Sequence, residues 1–223
     1  MCYKQNSTIA IIDSGVGGLS ILKELINKFG YGNYIYYADN LYMPYGSKSR
    51  AFIKKRVESI IDMLIKQYSV SCVIVACNTA SSCVDITKYK NVYVMTFEKD
   101  ITYLATPLTK KNLPHLNIIQ DKDLAKQIET NLPYNKNKLN KIIKEHITAL
   151  NLDKITSLCL GCTHYELVEK IFSKFMPNCQ ITKNSSKVVD NIKVEPSNEL
   201  NIVFLSSKQT QSYINKLKEI ALN

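Results

Sequence analysis

Apolar runs of strand length alternate with amphipathic, helix-length segments along this chain, an alternation that argues for an α/β fold with a largely parallel sheet. Thr8-Ile-Ala-Ile-Ile12 reads as a buried strand, followed by a glycine-rich turn and a helix over 19–29. A second strand over 34–38 ends at Asp39-Asn40, and a loop through Met43-Pro44-Tyr45-Gly46 leads to a long amphipathic helix over 48–68. Residues 70–76 and 91–96 give further strands, separated by a helix after Cys77. A second unit begins near Lys99: a strand over 101–105, the turn Thr106-Pro-Leu-Thr109, and helices over 121–131 and 135–150 broken at Pro133. A strand over 155–160 and a helix over 165–175 follow. The tail, a strand over 200–205 and a helix over 209–221, is a βα unit that can return to complete the first domain. At 223 residues the chain is long enough to bury a sizeable core.

Charge and cysteine usage narrow the function. The net charge of +10 would suit a nucleic-acid partner, but only Arg50 and Arg56 are arginine and the lysines are spread along the whole chain. The run Lys48 to Arg56 lies on an expected helix and reads as a solvated face, so no nucleic-acid partner is expected. No apolar stretch approaches the roughly 20 residues a membrane span needs, and Met1-Cys-Tyr-Lys-Gln-Asn6 has no signal-peptide pattern. A cytoplasmic protein without a membrane partner is the expectation. The seven cysteines (2, 72, 77, 83, 159, 162, 179) are an odd count without a secretion signal, which argues against a disulfide framework. Cys72 and Cys159 sit inside apolar strand runs and read as core. Cys2, Cys83 and Cys179 have no motif around them, leaving Cys77 and Cys162 at polar turn positions.

Those two cysteines occupy matched settings, Ala76-Cys-Asn-Thr-Ala80 and Gly161-Cys-Thr-His-Tyr165, each after a strand-like run and before a helix. A helix N-terminus favours the thiolate and would lower a thiol pKa there. Two facing thiols suit a reaction that removes a proton from one side of a carbon and returns one to the other. Asn78, Thr79 and Thr163 would donate hydrogen bonds to a bound carboxylate, and His164 is an acid–base partner beside a turn cysteine. Thr163-His-Tyr-Glu166 also fits a capping box, in which case Thr163 only caps its helix. Two rivals stay open. Asp13-Ser-Gly-Val-Gly-Gly-Leu-Ser20 is close to a dinucleotide fingerprint, with Asp39 at the ribose-acid spacing, although a charged Asp13 would repel a pyrophosphate and Ser20 takes the place of the last glycine. Cys159-x-x-Cys162 is a zinc or redox pair with His164 as a third ligand, but without the usual partner motif.

Four motifs, Asp13-Ser-Gly-Val-Gly-Gly-Leu-Ser20, Pro44-Tyr45-Gly46, Ala76-Cys-Asn-Thr-Ala-Ser81 and Leu160-Gly-Cys-Thr-His-Tyr165, occur in the order seen in glutamate racemase. The chain thus resembles that family of the cofactor-independent aspartate/glutamate racemase superfamily. The resemblance implies two similar doubly wound α/β domains, 1–97 plus 194–223 and 98–193, with the active site between them. It implies Cys77 and Cys162 as the acid–base residues, one for each enantiomer, with Asp13 and His164 assisting proton transfer. Ser14, Tyr45, Gly46, Asn78, Thr79 and Thr163 would hold the amino acid, with Thr106 and Thr109 as a further binding pair. Glutamate is the implied substrate and D-glutamate for peptidoglycan the implied product, with no cofactor and no metal. A homodimer is compatible with this. Aspartate or another small acid, or ligand binding without turnover, are the alternatives. Glu129 corresponds to the family's auxiliary acid, and Glu166 stands where the family usually has proline.

Overall fold

Nine strands, ten α-helices and two short 3-10 helices (Tyr45–Ser47 and Leu152–Lys154) account for the regular structure among the described residues, 7–193 and 199–222, of a computed structural model. The first group is β1 (Thr8–Asp13), α1 (Leu19–Phe29), β2 (Gly32–Ala38), α2 (Arg50–Tyr68), β3 (Cys72–Val75), α3 (Asn78–Ser81) and β4 (Val92–Val94). The second opens with β5 (Thr102–Ala105), α4 (Pro107–Asn112), β6 (Asn117–Gln120), α5 (Leu124–Asn131) and α6 (Lys136–Ala149). It continues through β7 (Ser157–Leu160), α7 (Thr163–Glu166), α8 (Glu169–Phe175), β8 (Gln180–Lys183) and α9 (Ser185–Asp190). The tail supplies β9 (Leu200–Ser206) and α10 (Gln211–Leu222). Among the described residues these strands make a five-stranded sheet, β4-β3-β1-β2-β9, and a four-stranded sheet, β6-β5-β7-β8. Every pairing is parallel.

The period-2 alternation of a strand sorts the side chains between layers. Ile9 and Ile11 join Tyr34, Tyr36 and Ile74 in one core, closed by Leu22 and Leu25 of α1 and Leu217 and Ile220 of α10. Ala10, Ile12, Val73 and Val75 point the other way, onto Ile53, Val57, Ile60, Ile61 and Leu64 of α2. That helical spacing presents one apolar stripe to the sheet. Ser49 starts α2, its hydroxyl accepting the Phe52 N–H at 3.2 Å. In the second sheet Leu104, Leu158 and Leu160 pack with α5, α6 and α8, chiefly through Leu124, Ile128, Ile143 and Phe172. Tyr103, Ala105 and Cys159 face a smaller core with Leu116 and Ile118.

The structure departs from the sequence reading at several places. Thr106-Pro-Leu-Thr109 is the first turn of α4 rather than an isolated turn. Thr106 is its N-cap and Pro107 its first residue, where proline's fixed φ suits a helix start. The helix expected over 165–175 is two pieces, α7 and α8, with Val168 between them at φ −118° and ψ 20°. β6, β8 and α9 carry no clear sequence signal: Asn117-Ile-Ile-Gln120 and Gln180-Ile-Thr-Lys183 are short and polar, and α9 is only six residues long. Val188, Val189 and Ile192 pack into the α1 core although they follow a strand of the other sheet. Residues 194–198, where the sequence reading returns the chain to its first domain, and Cys2 lie outside the described residues. Among the described residues no helix is long and apolar enough to cross a membrane.

Parallel sheets gather their functional turns along the carboxyl edge, at the point where strand order reverses. From β1 the first sheet runs to β2 on one side and β3 on the other; from β5 the second runs to β6 and β7 likewise. The strand ends beside these reversals carry Asp13 and Cys77 in the first sheet and Thr106 and Cys162 in the second.

Candidate active site

Cys77 and Cys162 are each the extended residue that hands a strand to a short helix, β3 to α3 and β7 to α7. One comes from each sheet, and both line a single cavity with Ser14, Tyr45, Gly46, Asn78, Thr79, Thr106, Thr163 and His164. The free volume inside is about 20 Å³, little more than a water molecule requires. Outside it a larger cleft of about 330 Å³ shares Pro44 and Gly46 with the cavity and carries Lys122, Asp123 and Lys126, a net positive lining.

The glycine-rich turn after β1 brings the two halves into contact. Asp13 accepts the Gly15 N–H at 2.8 Å with one oxygen and the Thr163 hydroxyl at 3.0 Å with the other. The turn needs Gly17 because a Cβ there would lie 2.4 Å from Thr163 Oγ1 and 2.8 Å from the His164 backbone nitrogen. Thr163 therefore does not cap α7, and Glu166 does not fold back onto it; Cys162 holds the N-cap position without a side-chain cap. Burial pushes the Asp13 carboxyl up, while His164, Gly15 and Thr163 pull it down. Burial likewise pushes the Cys77 thiol up, with the Asp13 charge adding to it. The lowered thiol pKa expected from a helix N-terminus is thus reversed at Cys77, because desolvation of a thiolate outweighs the dipole of a one-turn helix. The Ser14 hydroxyl lies 3.9 Å from Cys77 Sγ.

Two clusters shape the opposite wall. The hydroxyls of Thr79, Thr106 and Thr109 hydrogen-bond to one another at 2.8, 3.0 and 3.3 Å, so Thr109 stands behind the pair that lines the cavity. Tyr45 donates to Asp39 at 2.6 Å, and Asp39 takes a bidentate contact from Arg56 at 2.7 and 3.0 Å. That ion pair fixes the Tyr45-Gly46 loop against Thr106. It also corrects two sequence expectations. Arg56 is not part of a solvated face, and Asp39, fully buried and engaged through both oxygens, is not free to bind a ribose.

Behind Cys162, His164 Nε2 lies 2.7 Å from Glu129 Oε2, which also accepts the Val16 N–H at 2.8 Å. The other Glu129 oxygen accepts the Tyr213 hydroxyl at 2.8 Å, with the Lys216 ammonium nearby. Burial opposes charge on both members of the pair. Even so, the His164 hydrogen bond and charge, with Lys216 and Val16, hold the Glu129 carboxyl down at about 2. Cys162 and Glu129 hold His164 well above the usual histidine range against its burial. The corresponding state is a carboxylate–imidazolium pair. Tyr213 and Lys216, on the tail helix, escaped the sequence reading, as did Asn184; nothing near them in sequence resembles a motif.

The zinc or redox pair is not formed. Cys159 belongs to the small core on one face of the second sheet and Cys162 to the core on the other. Among the described residues no three His, Cys, Asp or Glu side chains converge to hold a metal ion.

Comparison with known proteins places the fold and the family. No family model matches the chain. The fold is that of solved glutamate racemases. The one from Campylobacter jejuni superposes with a TM-score of 0.78 at 24% identity, covering 96% of this chain and 98% of the other. An isoform from Bacillus anthracis gives 0.77 at 22% identity, over 98% and 93%. The glutamate racemase of Halothermothrix orenii is 28% identical over 95% of this chain and 99% of its own length. That of Clostridium acetobutylicum is 31% identical over 85% of this chain and 84% of its own, and on this similarity the chain belongs to the glutamate racemase family.

Proposed function

We propose that this protein interconverts L- and D-glutamate by Cα proton transfer between Cys77 and Cys162, supplying D-glutamate for peptidoglycan from the cytoplasm. The observation that carries the proposal is the pair of strand-end cysteines, one from each sheet, lining one small buried cavity. The two sheets with their helices act as two domains, 1–97 plus 194–223 and 98–193, that close over the substrate. A homodimer is the proposed assembly.

The Cα proton of an amino acid is only weakly acidic, because the adjacent carboxylate is already negative. Stabilising the developing carbanion therefore falls to positioned donors in a water-poor site. Asn78, Thr79 and Thr163 supply such donors, with Ser14, Tyr45 and Gly46 completing the wall and Thr106 holding the far end, braced from behind by the Thr109 hydroxyl. Cys162, with the charged His164 at its side, takes the proton from one face of Cα. Cys77, held as the thiol by its burial, returns one to the other face with Asp13 assisting. The roles exchange in the reverse direction. Lys122 and Lys126 at the outer cleft draw in a dicarboxylate. The free volume is too small for glutamate, so the Pro44–Gly46 loop and the α4–α5 rim part to admit it.

Incubation with L-glutamate in deuterium oxide tests the proposal: deuterium enters Cα and optical rotation decays. Cys77→Ser and Cys162→Ser each cut racemisation at least about a hundredfold, because a serine hydroxyl is a far poorer base at neutral pH. No exchange in the wild type, or near-normal rates in either variant, would refute it. L-Aspartate assayed in parallel separates substrate preference.

A further inference from the structure

Asn78 lines the cavity, yet its amide nitrogen, buried, has no hydrogen-bond partner in the protein. An unpaired buried N–H₂ is costly and is retained where a ligand completes it. The amide oxygen is engaged: Asn184 Nδ2 donates to Asn78 Oδ1 at 2.8 Å. Asn184 is itself fully buried at the corner between β8 and α9. Its backbone is fixed from several sides, while its own amide oxygen, like the Asn78 nitrogen, is buried without a hydrogen-bond partner in the protein. The Asn184 and Ser185 N–H groups donate to Glu166 Oε1 at 3.0 and 3.1 Å, and Glu166 Oε2 accepts the Ser20 hydroxyl at 3.0 Å. The Ser185 hydroxyl donates to Glu24 at 2.7 Å, which also binds Lys183.

An amide can present either its donor or its acceptor to a ligand, and nothing within Asn78 selects between them. We propose that Asn184 is a positioning residue: by donating to the Asn78 oxygen at 2.8 Å it holds that oxygen back and leaves the Asn78 N–H₂ for a substrate carboxylate. A carboxylate at position 184 would do the opposite. Being acceptor-only, it would draw the Asn78 nitrogen to itself and present the Asn78 oxygen, which repels an anion. The inference rests on the proposed role of the cavity in binding an amino acid.

The test compares wild type, Asn184→Asp, close to asparagine in size, and Asn184→Leu, which keeps the branched outline without a polar atom, by glutamate racemisation and by calorimetric binding of D-glutamate. Loss of one charge-assisted hydrogen bond corresponds to about a ten- to hundredfold weakening. Both variants should raise KM and weaken affinity by that range while kcat changes less than about threefold, with Asn184→Asp the more affected. Asn184→Leu carries the test if the buried charge of Asn184→Asp unfolds that variant. Unchanged KM and affinity, or a loss of kcat and thermal stability with KM intact, would overturn the positioning role and leave the racemase proposal standing. Glutamate bound but not racemised by the wild type would instead refute the racemase proposal, with the role of Asn184 still read from the affinities. No binding by the wild type would refute both.

Discussion

Replacing Glu129 with glutamine removes the charge at the junction of four elements: the glycine-rich turn, α5, α7 and α10. Glu129 is 5% exposed and held at about 2, against 4.5 for an ordinary glutamate. A depressed carboxyl contributes stability above its unfolded pKa and loses it as pH falls through the folded one. The shift is worth about 3 kcal/mol at pH 7, falling to about half of that at pH 3. The His164 attraction appears in both partners and is counted once. The sum is of the order measured when one member of a buried ion pair is removed. Urea unfolding of wild type and Glu129→Gln at pH 7, 4 and 3 reads this directly. The variant should be less stable by about 3 kcal/mol at pH 7, with the gap narrowing by about half at pH 3. Racemisation should fall as well, because His164 then lacks the partner that keeps it charged beside Cys162. A stability difference under about 1 kcal/mol at pH 7, or one that does not change with pH, would show that Glu129 does not anchor this junction.

Two further perturbations probe the seam between the sheets. Gly17→Ala should cost about 1–3 kcal/mol and most of the activity, because the new Cβ meets the His164 backbone at 2.8 Å; wild-type stability and turnover would disprove the close approach. Burial pushes Glu166 up to about 8, so it binds a proton more tightly folded than unfolded and costs stability as pH rises from about 4.5 to 8. Glu166→Gln should flatten that part of the stability profile by on the order of 4 kcal/mol, and unfolding curves that stay parallel to wild type across pH 5–8 would count against it.

What the residues determine locally was legible without coordinates. Strand and helix periodicity reproduced α1 at 19–29 to the residue, and the two cysteine turns were found because a strand end, a thiol and a hydroxyl lie within five positions of one another. Short-range signals also misled where several local outcomes share one pattern. Thr163-x-x-Glu166 fits a capping box, yet the structure gives Thr163 to Asp13, 150 residues away, and Glu166 to Ser20, 146 residues away. Asp39 has the spacing of a ribose acid, but Arg56 reaches it from α2, 17 residues further on.

The sequence by itself set the α/β class, the strand-end cysteines and the order of the motifs, because those depend on neighbours a few residues apart. Only the tertiary structure decided that Cys77 and Cys162 line one cavity, that Glu129 is tied to Tyr213 and His164, and that Asn184 reaches Asn78. The hydrogen bonds among these join residues 35 to 106 positions apart. Contacts at such separations leave no periodicity in the chain; they exist only once burial has brought the carboxyl edges of both sheets together.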